Sequence, residues 1–237
     1  MVSLIRRGLE DYGLSARVPQ DAPETLARYG RLLLEKNRVM NLTAITEPEQ
    51  VAKLHMLDCA ALLNLCRWEG QRLLDVGTGA GFPGMVLKIL VPSLDTTLLD
   101  SLNKRLERLS ETYTALELTG IRTVHARAEE KGNDPAFREQ FDLVTSRAVA
   151  ELRTLCELCL PYVRVGGLFL AMKSVESDAE LSAAGPAIRS LGGIVESVSD
   201  YRIPGTEIRH RAVILKKIGE TPKKYPRAFA KIKKNPL

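Results

Sequence analysis

Apolar positions fall into two rhythms along the chain. From Glu24 to Met40 they recur at helical spacing, with Leu26, Tyr29 and Leu33 on one stripe, and a second helical pattern runs from about Pro48 to Cys66. Asn41-Leu42-Thr43-Ala44, between them, reads as a turn. From Arg72 the period shortens. Strand cores at Leu73-Leu74, Thr96–Leu99, Thr123-Val124, Leu143–Thr145 and Leu168–Met172 alternate with helical segments at 80–91, 102–119, 151–160 and 175–190. Such alternation predicts a parallel sheet, because each parallel connection needs a crossover and the crossing helices cover both faces. Two last strands, about 193–202 and 208–217, are joined by a short Pro204-Gly205 segment. That link permits a hairpin but not a crossover, so the sheet is expected to end in an antiparallel pair. The expected fold is α/β, a mostly parallel doubly wound sheet at 69–218, with a helical extension at 1–68 and a basic tail at 219–237.

Composition narrows the class. Of 237 residues, 45% are apolar and 27% charged, which is globular rather than disordered. No run of eighteen uncharged apolar residues exists, and Met1-Val2-Ser3-Leu4-Ile5-Arg6-Arg7 lacks a secretory apolar stretch, so a cytoplasmic protein without membrane contact is expected. The four cysteines, Cys59, Cys66, Cys156 and Cys159, form no disulfide framework. The single C-E-L-C lacks the second pair that a zinc site needs and sits in an apolar helical stretch, so buried thiols and no metal are expected.

The net charge of +5 is a local property. Residues 221–237 hold Lys223, Lys224, Arg227, Lys231, Lys233 and Lys234 and no acid, so the rest of the chain sets 28 basic residues against all 29 acidic ones. A concentrated basic tail suits a polyanion through counterion release, or is a solvated terminus. Aromatics are only 5% of residues, which argues against a ladder of stacked bases.

The strongest chemical signal is D-V-G-T-G-A-G-F-P-G at 75–84, where the first strand hands over to a helix. Glycines at 77, 79 and 81 allow a tight turn whose backbone N–H groups approach a ligand. Gly79-x-Gly81-x-x-Gly84 also matches a dinucleotide fingerprint, a weak signal alone. Two acids shift the choice. Asp75 would oppose a pyrophosphate but suit the ammonium of a methionine moiety; Asp100, closing the second strand, is placed to accept ribose hydroxyls. A ligand with adenosine and a positive group is S-adenosylmethionine. Turn or helix capping is the plainer role for either acid.

With these motifs in hand, the chain resembles the GidB (RsmG) family of bacterial 16S ribosomal RNA methyltransferases. The likeness rests on N-L-T at 41–43, His55 and Asp58 in H-x-x-D, the 75–84 segment, L-L-D-S at 98–101 and S-R-A at 146–148. It implies a Rossmann-like S-adenosylmethionine-dependent domain acting on N7 of a guanosine in the 530 loop, with 16S RNA or the small ribosomal subunit as partner. It also implies cofactor contacts at Gly77, Phe82, Ala128, Glu129 and Arg147; Ser101, beside Asp100, joins that set. The tail T-P-K-K-Y-P-R at 221–227 is similar to family tails, whereas A-F-A-K-I-K-K after it departs from them.

Guanine N7 carries a lone pair and no proton, so the expected chemistry needs placement rather than a general base. Arg147, at the carboxyl edge of the sheet, is the expected pocket-lining cation, holding guanine O6, a phosphate or the cofactor carboxylate; a surface ion pair is the alternative. Arg127, Lys173, Arg209, His210, Lys223, Lys224 and Arg227 are candidate RNA contacts. His55 and Asp58 share a helix face and either touch ligand or fix the extension to the sheet domain. His125 reads as structural. Competing functions are a methyltransferase acting on another RNA site or on protein, a nicotinamide-dependent oxidoreductase, and a non-enzymatic RNA-binding protein.

Overall fold

The computed structural model describes residues 1–147 and 150–237. Seven strands form one sheet: β1 (Arg72–Val76), β2 (Asp95–Asp100), β3 (Ile121–His125), β4 (Phe141–Arg147), β5 (Val163–Ser174), β6 (Gly193–Arg202) and β7 (Arg209–Lys217). Their order is β3-β2-β1-β4-β5-β7-β6. Neighbours from β3 to β5 are parallel, while β7 runs antiparallel to both β5 and β6. The expected terminal pair is therefore present, and the hairpin folds back so that β7, not β6, joins β5. The reversal of strand order at β1/β4 opens a crevice at the carboxyl ends of the strands.

Helices α1 (Val2–Asp11) and α2 (Ala22–Met40) open the chain. The segment expected as one regular helix over 48–66 is instead α3 (Pro48–Val51), a π-helical turn (Ala52–Leu57), α4 (Asp58–Ala60) and a 3-10 turn (Ala61–Asn64). A wider turn of this kind re-aims side chains and recurs at functional sites. The crossovers carry α5 (Gly84–Leu90), α6 (Asn103–Ala115), the single turn α7 (Ala128–Lys131), α8 (Leu152–Cys159) and α9 (Asp178–Ser190), and the tail ends in α10 (Phe229–Lys234). Helix α5 begins at Gly84 rather than near 80, because 77–83 coils into the glycine turn.

Alternate residues of the strands feed two cores. Leu73, Leu98, Leu143, Leu170 and Ile214 face α5, α6 and the N-terminal helices, whose Ile5, Leu26, Leu33 and Met56 belong to the same apolar cluster. Leu74, Leu99, Val144, Phe169 and Leu215 face α8 and α9, with Cys156 and Cys159 buried among them. Tyr225 and Ile232 of the tail are buried in this second core. Arg138 reinforces the docking by donating to the carbonyls of Thr221 (2.6 Å) and Tyr225 (2.7 Å). The tail is thus packed structure up to α10, not a frayed basic end.

No helix among the described residues is long and apolar enough to cross a membrane. Nor does any group of three or more His, Cys, Asp or Glu among them stand close enough to share a metal ion.

Candidate functional site

The turn after β1 is held from inside. Asp75 is fully buried, and its carboxylate accepts hydrogen bonds from Thr78 Oγ1 (2.7 Å), the Gly84 N–H (2.9 Å) and Thr145 Oγ1 (3.1 Å). Burial pushes its carboxyl pKa up from the usual range despite these donors. The expected contact between Asp75 and a ligand ammonium is corrected: the side chain points into the turn and fixes it. Gly81 is corrected likewise. Its φ is +99°, and a Cβ there would stand 2.6 Å from Tyr29 Oη, so this glycine makes room for α2 rather than for a ligand. Tyr29 in turn donates to the Ala80 carbonyl (2.5 Å), which ties the extension to the turn.

The outer edge of the turn faces a cleft of about 510 Å³, lined in part by Gly77, Gly79 and Phe82. At Gly79, with φ +58°, a Cβ would meet nothing nearer than the Gly77 carbonyl oxygen at 3.9 Å. Asp100 closes the next side and is 5% exposed. One carboxylate oxygen accepts the Gly79 N–H and the other the Leu102 N–H, both at 2.9 Å. A carboxylate offers about four acceptor positions, so hydroxyl donors from the cleft can share it. Ser101, Arg127, Ala128 and Glu129 continue the wall. Tyr162 donates to the Ala128 carbonyl (2.6 Å) and steadies that segment. Phe229, from the tail, completes the far end and is 39% exposed. It was not among the sequence candidates, although an aromatic in a lysine-rich stretch was the visible signal.

At the opposite end Arg147, last residue of β4, meets the π-helical turn. Its Nη1 donates to the Leu54 carbonyl and to Asp58, each at 3.2 Å, and its Nη2 donates to His55 Nδ1 at 3.0 Å. An arginine only donates, so His55 Nδ1 is an acceptor and the ring proton sits on Nε2, which gives it to Thr43 Oγ1 (2.8 Å). Burial and the Arg147 cation lower the His55 pKa to about 4, consistent with a neutral ring. That ring stacks on Phe82 at 4.4 Å, and the guanidinium lies 4.9 Å from the same ring centre. Asp58 is 2% exposed and also accepts from Tyr201 Oη and His210 Nδ1, both at 2.8 Å. The bond to Asp58 raises the His210 pKa. His55 and Asp58 therefore act by joining the extension to β4 and β7. Ala148 of the S-R-A motif lies outside the described residues.

His55 and Arg147 also line a second cleft, of about 550 Å³, on the side away from the glycine turn. Its apolar lining includes Ile45, Leu54, Met172 and Ile208, and Lys173 and Glu180 line it as well. The two clefts share one partition.

The candidate RNA contacts divide. Arg127 and Arg209 are exposed, as are Lys223 and Lys224. Lys173 is paired, its ammonium holding Glu180 (2.6 Å) and the Ala150 carbonyl (2.8 Å), and it lines the second cleft. Arg227 is corrected to an anchor, because its guanidinium and backbone N–H both bond the fully buried Glu157 at 2.6–2.9 Å. His210 is half-buried against Asp58, at the rim of the second cleft. His125, at the edge of the sheet, donates from Nε2 to the Ser101 carbonyl at 3.0 Å.

Comparison with known proteins follows the same lines. A family model described as GidB, rRNA small subunit methyltransferase G, matches residues 22–210. Two curated proteins named ribosomal RNA small subunit methyltransferase G are similar over nearly their whole lengths. That of Lachnoclostridium phytofermentans is 46% identical, covering 98% of this chain and 95% of its own. That of Acetivibrio thermocellus is 43% identical, covering 95% and 93%. Among solved structures, a SAM-dependent methyltransferase from Aquifex aeolicus superposes with a TM-score of 0.57 at 17% identity, over 75% of this chain and 97% of that one. At that identity the likeness shows the fold.

Proposed function

Because the chain belongs to the rRNA small subunit methyltransferase G family, we propose that it transfers a methyl group from S-adenosylmethionine to N7 of a guanosine in the 530 loop of 16S ribosomal RNA. The observation that carries this reading is the shared partition: a cleft suited to an adenosine-bearing cation meets a second cleft at His55 and Arg147.

The residues of the first cleft fit the cofactor. Asp100 offers acceptors for the ribose hydroxyls, the Gly77–Gly79 turn presents backbone to the amino-acid end, and Ser101, Ala128, Glu129 and Phe229 enclose the adenine end. When bound, S-adenosylmethionine would supply a sulfonium methyl: the in-plane lone pair of guanine N7 would form the new N–CH3 bond as the S–CH3 bond breaks, leaving S-adenosylhomocysteine as a neutral thioether and the positive charge on the guanine, with no proton to remove. The chain's part is to place the two reactants. Fixing both in near-attack geometry supplies roughly 7–11 kcal/mol of a barrier, which makes an acid–base pair unnecessary for the step. Arg147, locked by His55 and Asp58, presents a cation of fixed position beside the acceptor base and holds its O6. The exposed Lys223 and Lys224 and the lysines of α10 supply phosphate contacts.

The test is transfer from labelled S-adenosylmethionine to unmodified small subunits and to their naked RNA, followed by aniline cleavage at N7-methylguanosine. One cleavage in the 530 loop is the expected result. Labelled RNA without cleavage would overturn the assigned atom, and label at another position would overturn the site.

A further inference from the structure

The second cleft has a chemical polarity that its partition with the first does not explain. Arg147 and Met172 are register partners on β4 and β5 and share a face, whereas Lys173, one residue on, leaves the opposite face; both reach the cleft at the carboxyl edge of the sheet. Glu180, on the first turns of α9, is ion-paired to Lys173 at 2.6 Å and accepts the Leu152 N–H through the same oxygen, Oε1. The cleft lining thus brings together an arginine, a lysine and a carboxylate. Ile45, Leu54, Met172 and Ile208 provide apolar surface around this polar set, as the flat faces of a heterocycle require.

Around the rim of guanine the groups run N7, O6, N1–H and the exocyclic N2 amino group, that is, acceptor, acceptor, donor, donor. We propose that the second cleft seats the target guanine with N7 at the partition, O6 toward Arg147 and Lys173, and the N1–H and N2–H donors on the Glu180 carboxylate. The inference rests on the guanosine reading above and adds the residue that selects the base. Adenine would set its N6 donors against the lysine and its N1 acceptor against the carboxylate, a double mismatch. The base must leave its stack to reach this depth, as for enzymes that act on an extruded nucleotide.

The decisive substrates are 16S RNAs assembled by ligation to carry guanosine or inosine at the target position. Inosine keeps N7, O6 and N1–H and lacks only the N2 amino group. The wild-type protein is expected to methylate the guanosine RNA with a kcat/KM about tenfold above that for inosine, the usual scale for one lost hydrogen bond to a charged group. In Glu180→Gln, which keeps an oxygen for Leu152 and Lys173, kcat/KM should fall about a hundredfold on guanosine, which loses two bonds to the carboxylate, and about tenfold on inosine, which loses one. The guanosine-to-inosine ratio should then collapse toward one, with affinity for S-adenosylhomocysteine unchanged by calorimetry. Equal loss on both RNAs, or a ratio retained in the variant, would overturn the assignment of Glu180. Aniline mapping of the wild-type product on the guanosine RNA separates the two levels: modification at an atom other than N7 would remove the functional reading itself, and the seat with it.

Discussion

The two ends of the first cleft are built in opposite ways. The glycine turn at 75–84 closes largely through its own residues: Asp75 accepts from Thr78 and from the Gly84 N–H, and the Gly81 and Phe82 N–H groups return to the Thr78 carbonyl at 2.8 and 3.1 Å. The Arg147 cluster draws its partners from far along the chain, from Leu54, His55 and Asp58 on one side and Tyr201 and His210 on the other. Local closure leaves a contiguous sequence signature, whereas a cluster gathered from three segments leaves scattered residues whose meaning depends on the fold.

The largest expected effect attacks the gathered end. Asp58→Ala strands the buried Arg147 cation, so unfolding free energy should drop by about 3–5 kcal/mol, read by denaturant titration. Asp58→Asn, which keeps an acceptor, should lose less and retain the fold. If Asp58→Ala costs no more than a surface change, the cluster is not what joins the extension to the sheet.

The local end should break next. Gly81→Ala combines positive φ with contacts under 3 Å to Tyr29, Met85 and Leu109, and should cost about 2–4 kcal/mol. Tyr29→Phe combined with Gly81→Ala should not restore stability, because the ring carbon edge and Leu109 still crowd the new methyl. Full stability in Gly81→Ala would show that α2 yields easily and that the turn does not depend on it.

Milder effects separate ligand contact from scaffolding. Asp100→Asn should weaken S-adenosylhomocysteine binding about tenfold in calorimetry, the scale of one charged hydrogen bond. Because Asp100 also holds the Gly79 N–H, the asparagine variant tests the ribose role more cleanly than alanine does. Phe229→Ala should weaken the same ligand only about threefold, since the ring is partly solvated and contributes a fraction of full burial.

The two histidines sharpen the comparison without mutation. In the folded protein His55, with its pKa lowered to about 4, stays neutral while the unfolded chain takes up a proton near the ordinary value of 6.5. Its contribution is therefore fully present above pH 6.5 and is lost as pH falls toward 4. His210 has the opposite sign: its pKa is raised, so its contribution is complete below 6.5 and fades as pH rises through the folded value. Nitrogen-detected NMR should find His55 as the Nε2–H tautomer at neutral pH; a protonated ring there would contradict the bond from Arg147.

Legibility followed the same division. Strand and helix alternation with a short final link was enough for the mixed sheet, and the 75–84 segment marked the cleft. Asp100 and Arg147 could be placed at the cleft because they end strands, where the sheet topology brings them to one edge, while Phe82 entered through the family resemblance. Asp75 and Gly81 were misread because residue type and position match a ligand contact, and only packing reveals that Thr78 and Tyr29 claim them. The irregular turns over 48–64 carry no periodic signal that departs from a helix, so the re-aiming of His55 and Asp58 stayed hidden. Lys173 and Arg227 looked free because Glu180 and Glu157 lie 7 and 70 positions away on other elements. Tail packing was masked by its lysines, which outnumber Tyr225 and Ile232, the two residues that bury it.

The single apolar cluster shared by α1, α2, α5 and α6 has a consequence for how the protein is made. During synthesis the first 64 residues leave the ribosome with amphipathic faces whose covering helices are encoded up to Ala115, so the leading segment waits for its partners. Tyr29 reaches Ala80 only after that docking. The glycine turn, whose own closing bonds are local, therefore gains its tie to α2 only when the N-terminal helices arrive.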